Sequence, residues 1–444
     1  MAIKIINTFL AIFLMICFST TTSGKTTDSG ETLPVFTTDI HGLLTSLLDT
    51  HKEIESFSHR LKSARALVRQ SQGLYYPRLD LHGDAGLEKI QKETSIDTEE
   101  ERYAITLRGT QLVTDFGRTT NIIARERVLL AQAKAKLDAI RQQTLRDGII
   151  AYINIVKARD RLYIAEKSEI RIKELTGIEK ALVEKGAGLT SDVLQAKSQL
   201  AGAMARQVAA KGDLEIARNR FHSVFAYYPS LDDIVVFQAV PFPDAFMPKA
   251  LENAVAEALI TNPELKITTF EVDSSRKKIL ISKSANFPTI NLFAEARNAK
   301  DDDGLSGYRE DYGAGVELSC NLFNGGSDQA AIQAALQNNA AASTHLAHAR
   351  QLVTEQVRNS WEQLTTQTRR SELLEQQAAI LKTFLELAKK ERKMGNRSLL
   401  DVLNGEVNYL NAQGNAVAAR EDTKIAAYNL MLAMGKIELD IFAR

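Results

Sequence analysis

The stretch that decides the fold is Gly395-Asn396-Arg397-Ser398-Leu399-Leu400-Asp401-Val402-Leu403, because Gly186 and Asp192-Val193-Leu194 occupy the same places 209 residues earlier (395 − 186 = 209). Gly117 and Tyr152 correspond in the same way to Gly326 and Trp361. Nearer the N-terminus the offset becomes 211 (261 − 50 = 211): Thr50, Glu53 and Arg65 return as Thr261, Glu264 and Arg276, and Tyr76-Pro77 as Phe287-Pro288. Matches kept in one order at two nearly equal offsets read as a tandem duplication, the first thing to settle before elements are assigned.

Each half has one layout. A helix over about Leu43 to Leu74, and its twin over about Leu251 to Asn286 entered through Asn262-Pro263, stop at Pro77 and Pro288, since the residue before proline is driven toward extended conformations. Two short alternating segments follow. Gly117 and Gly326 then open very long helices, about Arg118 to Val183 and about Ser327 to Lys393, which glycine-marked turns (186–190 with Gly186 and Gly188; 395–397 with Gly395) reverse into returning helices over about Ser191 to Phe225 and Ser398 to Met434. All 8 prolines fall outside these four long helices. Each long helix reaches about 100 Å at about 1.5 Å per residue. Apolar residues recur at sevens (Ile149, Val156, Tyr163 and Ile170; Leu346 with Val353; Leu374, Leu381 and Ala388), the spacing of coiled-coil contacts. The expected divisions are repeat 1 at 43–228, a Pro-rich linker at 229–249, repeat 2 at 250–436 and a tail at 437–444.

The alternating segments separate a soluble coiled coil from a membrane protein. They are predicted at about 78–89, 102–113, 289–298 and 309–321, close to the length of a tilted transmembrane strand. Leu79, Leu81, Ala85 and Leu87 share one face against Asp80, His82 and Asp84; Tyr103, Ile105 and Leu107 oppose Thr106 and Arg108. In the second half Ile290, Leu292, Ala294 and Ala296 oppose Asn291, Glu295 and Arg297, and Tyr312, Ala314, Val316 and Leu318 oppose Gly313, Glu317 and Ser319. Aromatics mark the ends: Tyr75, Tyr76, Phe116, Phe287 and Phe323 at one, Tyr103, Tyr308 and Tyr312 at the other. Four strands cannot close a barrel, and an open edge in hydrocarbon leaves backbone groups unpaired at several kcal/mol each. Several copies must therefore share one barrel: two give an interior filled by side chains, three supply 12 strands and room for a pore, and a conduit calls for three or more.

The N-terminus carries Lys4, an apolar run Ile5 to Phe18 and small polar residues to Gly24, the order of a secretory signal over 1–24 followed by a linker at 25–42. Cys17 follows Leu14-Met15-Ile16 rather than the small residues a lipidation site prefers, so the mature chain is expected unacylated, with Cys320 its one cysteine. Lys+Arg 55 against Asp+Glu 55 offers no electrostatic case for nucleic acid. No Gly-rich phosphate loop, Gly-x-Ser-x-Gly elbow or Cys-x-x-Cys pair is present, and nothing points to catalysis or a cofactor. His345 and His348 share a helix face with no third metal ligand nearby, and Asp301-Asp302-Asp303-Gly304 lacks the ligand spacing of a calcium loop and reads as solvated.

The glycine-led turns, Pro-led strands and duplication resemble the TolC-like outer-membrane factors from about residue 43 to 436. The resemblance implies a homotrimer, mainly α, whose tandem-duplicated helices form an α-barrel across the periplasm while four strands per chain complete a 12-stranded β-barrel in outer-membrane lipid. It further implies a passive exit duct for type I protein secretion or small-molecule efflux, working with a periplasmic adaptor and an ABC or RND-type inner-membrane pump. By the same resemblance 229–249 runs through an equatorial belt, Gly186, Gly188, Gly395 and Ser398 stand at the adaptor-docking tips, Asp192 and Arg397 belong to charged tip contacts, and Asp401 lines an acidic ring. Asn404 departs from the pattern, standing where the secretion channels carry a second acid, so strong divalent-cation plugging is in doubt. Asp192 and Asp401 have a simpler reading as helix caps after each turn. A soluble periplasmic scaffold or adaptor, needing no detergent and forming no barrel, is the competing function.

Overall fold

The computed structural model describes residues 39–91, 97–186 and 189–442. The expected signal segment, Cys17 and Gly188 lie outside the described residues. Element order is α1 (Ile40–Thr50), α2 (Lys52–Gly73), β1 (Arg78–Ile90), β2 (Thr98–Thr114), α3 (Arg118–Glu184), α4 (Thr190–Phe225), α5 (Leu231–Val236), α6 (Leu251–Thr261), α7 (Pro263–Lys283), β3 (Thr289–Asp302), β4 (Leu305–Ser319), α8 (Ser327–Lys393) and α9 (Leu399–Met434). The fold is mainly helical with four strands per chain. The long helices repeat at equal length: α3 and α8 each hold 67 residues, α4 and α9 each 36, and the 67-residue helices start 209 apart (327 − 118).

The helix expected as one piece from Leu43 is two. His51 takes extended angles (φ −68°, ψ 121°) and breaks it, as Asn262 (φ −57°, ψ 125°) does between α6 and α7. The two breaks are 211 apart (262 − 51), the duplication offset, so the Asn262-Pro263 signal applied to both halves. Asn262 Oδ1 accepts from the amides of Glu264 (2.9 Å) and Leu265 (3.4 Å), capping α7. Its Nδ2 donates to Ala433 O at 2.8 Å, tying the cap to the end of α9.

The core sits where α1, α3, α4 and α9 meet: Leu44, Ile149, Tyr152, Phe221, Tyr428 and Met431 are fully buried there. Tyr152 stacks on Phe237 from the linker, centroids 4.8 Å apart, and its burial pushes the phenol up to about 12. The linker is structured rather than plain coil. Arg159 donates to the carbonyls of Ile234 (3.0 Å) and Phe237 (2.7 Å) at the end of α5, and Arg218 donates to Pro229 O at 2.8 Å while covering the Tyr228 ring at 4.3 Å. The sevenfold series is core only in part: Ile149 and Val156 are buried, but Tyr163 is 63% and Ile170 58% exposed, on a face of α3 that the other described elements leave open.

Candidate functional site: the sheet faces and the helix turns

The strands form one antiparallel meander in the order β1-β2-β3-β4, with β1 and β4 at its edges. Register aligns the faces. Leu81 pairs with Leu107, Leu107 with Ala296 and Ala296 with Tyr312, while Asp80 pairs with Arg108, Arg108 with Glu295 and Glu295 with Gly313. Every second residue of each strand therefore falls on one apolar or one polar surface. Leu79, Leu81, Leu87, Ile105, Val316 and Leu318 stand exposed on the apolar side. Aromatics gather at the two levels read from the sequence: Phe116 stacks on Phe287 at 5.8 Å beside the helices, and Tyr103 meets Tyr308 edge-on at 6.3 Å toward the hairpin ends.

The strands run further than expected. β2 starts at Thr98, and β3 and β4 continue to a two-residue connection, Asp303-Gly304, so the strands expected at 289–298 and 309–321 meet in a tight hairpin. Both connecting residues have positive φ (56° and 69°), as a tight primed hairpin requires. Asp302 consequently lies at 4% exposure rather than in a solvated loop. It accepts from Arg102 Nη1 (2.9 Å) and Arg297 Nη2 (2.5 Å). The carboxylates of Glu88, Asp302 and Asp303 converge within 4.8 Å, and the same two guanidiniums lie against the other two acids, Arg102 3.7 Å from Glu88 and Arg297 4.0 Å from Asp303.

At the helix–strand junctions, Gly117 (φ 97°) and Gly326 (φ 82°) precede the long helices in the left-handed region. Pro77 and Pro288 stand immediately before β1 and β3. Asp115, which the sequence reading passed over, caps α3 by accepting from Gly117 N (3.2 Å) and Thr119 N (2.7 Å); its twin at 324 is Asn, a cap-type residue that would have signalled it.

The two turns differ. At the second, Gly395 (φ 81°) donates to Arg392 O at 3.0 Å and Asn396 N donates to Glu391 O at 3.0 Å, a Schellman closure. Arg397 Nε pairs with Glu391 Oε2 at 2.8 Å, its guanidinium covers Phe384 at 5.1 Å, and Arg392 donates to its carbonyl at 3.1 Å. Lys389 reaches across to the buried Glu406 at 2.7 Å. At the first turn Gly186 has φ 76°, and the positions 209 before Lys389 and Glu406 are Lys180 and Lys197, which cannot pair. Ser398, not Asp401, caps α9: its hydroxyl accepts from Asp401 N at 3.0 Å. Leu189 precedes α4 with no side-chain cap, so Asp192 is a first-turn acid whose carboxylate accepts from the Ser191 hydroxyl at 3.4 Å. Asp401 is exposed, whereas Asp192 and Asn404 are half-buried. Within the chain Arg397 is held by Glu391, and the structure does not bring Asp192 to it. His345 Nδ1 lies 3.6 Å from Glu271 Oε2 and is exposed.

The profile described as "Outer membrane efflux protein" matches residues 43–225 and 254–436. Among curated relatives, the outer membrane efflux protein BepC of Brucella suis biovar 1 is 26% identical over 328 residues, covering 73% of this chain and 70% of that protein. The alkaline protease secretion protein AprF of Pseudomonas aeruginosa is 23% identical over 352 residues, covering 77% and 71%. Among solved structures, the outer-membrane channel OprN superposes with a TM-score of 0.77 at 20% identity, covering 90% of each chain.

Proposed function

This chain belongs to the outer membrane efflux protein family, and from that premise we propose that it is the repeating subunit of a homotrimeric duct through which cargo leaves the periplasm. It is an outer-membrane channel protein that extends into the periplasm and serves type I protein secretion or small-molecule efflux. The observation that carries the trimer is the sheet: a four-stranded meander with apolar and polar faces and two open edges, β1 and β4. Such edges are tolerated in hydrocarbon only when neighbouring copies pair with them. The apolar face then meets lipid and the polar face lines a lumen, while the equatorial linker at 229–249 forms the belt.

Channels of this family work with adaptor and inner-membrane pump partners. We read the Gly186 and Gly395 turns as the ends an adaptor touches, and an ABC or RND-type pump as the source of energy. Glu391 occupies Arg397 Nε, and among the described residues no side chain pairs with its Nη groups, so Asp192 of a neighbouring copy can bind the same guanidinium and close the tip. Asp401 supplies the acidic ring. A soluble scaffold does not account for a row of exposed leucines and valines along one sheet face. Outer-membrane fractionation with heat-modifiable migration tests the reading: the mature protein sediments with outer membranes and migrates faster before boiling. A water-soluble monomer defeats it. Crosslinking from cysteines placed beside Gly186 and Gly395 identifies the adaptor and pump.

A further inference from the structure

The polar face of the sheet holds a strap that the sequence pattern alone does not reveal. Arg108 on β2 is paired in register with Glu295 on β3, and its Nη1 donates to Glu295 Oε2 at 3.2 Å. Its Nη2 passes over β3 and donates to Glu317 Oε2 on β4 at 2.8 Å. The guanidinium thus lies along the wall across three strands. Beneath it is Phe293, ring centroid 5.1 Å away. Phe293 is the one large apolar residue among the polar-face positions of β3. The ring also lies flat, because its register partner on β4 is Gly315, where a Cβ would stand 3.1 Å from the ring. Any side chain at 315 would lift Phe293, and Arg108 with it, off the wall.

The charges in this band do not balance. Arg108 serves two carboxylates, and the third acid of the band, Asp80, is taken by Arg78 at 2.8 Å. One uncompensated carboxylate therefore remains per chain, and symmetry repeats it in each copy around the pore. A ring of net negative charge held by fixed hydrogen bonds favours cations.

We propose that Arg108 is a selectivity-setting residue of the barrel lumen: by bridging Glu295 and Glu317 over Phe293 it limits an anionic band inside the β-barrel, separate from the acidic positions at the helix turns. The proposal rests on the reading that the polar face lines a pore. The assembled protein, checked for heat-modifiable migration, is reconstituted in planar bilayers under a KCl gradient and its reversal potential measured. Arg108→Gln uncovers a second carboxylate per chain, so the K⁺/Cl⁻ permeability ratio rises several-fold, and Arg108→Lys restores it. Glu317→Gln, which keeps the Arg108–Glu295 bond and the fold, brings the ratio toward one. Reversal potentials unchanged in both Arg108→Gln and Glu317→Gln channels overturn the proposal and leave the duct standing. A wild-type protein that opens no channels overturns the duct itself, and the strap's role with it.

Discussion

Arg397 reaches back across its own turn to Glu391, Nε to Oε2 at 2.8 Å, with the ring of Phe384 beneath the guanidinium. The pair fixes the arginine at the end of the α8–α9 hairpin, and no other described side chain pairs with its outer nitrogens. Replacing Arg397 by Ser removes this contact and any bridge from a neighbour's Asp192, so single-channel conductance in planar bilayers should rise severalfold. Glu391→Gln, which frees the arginine without removing it, should raise conductance less. Unchanged conductance in Arg397→Ser would show that the arginine holds nothing closed.

The ring is tested at position 404. Asn404 lies one turn beyond Asp401 on α9. Asn404→Asp adds a second carboxylate per copy and should tighten block by a divalent cation about tenfold, equivalent to about 1.4 kcal/mol. Asp401→Asn should weaken block. Titrating Mg²⁺ against channel current measures both.

Asn262 caps α7 and holds the end of α9 with the same side chain. Asn262→Ala should cost about 2 kcal/mol through lost cap and orphaned carbonyl. The single tryptophan, Trp361, packs against the cluster containing Leu265 and Met434, so the midpoint of denaturant-induced change in its fluorescence reports the loss.

The segment around Tyr227 and Asp233 has its own pH signature. Tyr227 donates to Asp233 at 2.5 Å, and burial, then the adjacent carboxylate, push its phenol up to about 12. The Ser230 hydroxyl and then Tyr227 hold Asp233 below the usual carboxylate range. The neutral phenol is favoured in the fold, so its contribution is present below pH 10 and is lost as pH climbs through about 12. Asp233 works the other way, contributing above its ordinary value of 3.8 and failing as pH falls below it. Phenolate absorbance of wild type minus Tyr227→Phe should show an ionisation near 12. One near 10 would mean that Tyr227 is neither buried nor held against Asp233 in solution.

The duplication made most of the architecture legible, because glycine turns and Pro-led strands leave local marks that each half repeats. The break at His51 carried no mark of its own and could be read only through Asn262, 211 residues on. The solvated loop at Asp301 to Gly304 was misread because acidity was weighed above the Asp-Gly hairpin signal in the same four residues. The strap escaped for a different reason: alternation places Arg108, Glu295 and Glu317 on one face, but only the register between strands sets the arginine beside both acids. Contacts between copies have no local mark either, and Tyr163 and Ile170 follow the sevenfold spacing while facing away from the rest of their chain.

α3 and α8 each run unbroken through 67 residues, while the helices beside them are broken at His51 and Asn262 into shorter pieces. Each is a lever without an elbow. A push at the glycine-turn end of either rod meets no joint midway to absorb it, and must bend the whole rod or swing the shorter arm packed alongside.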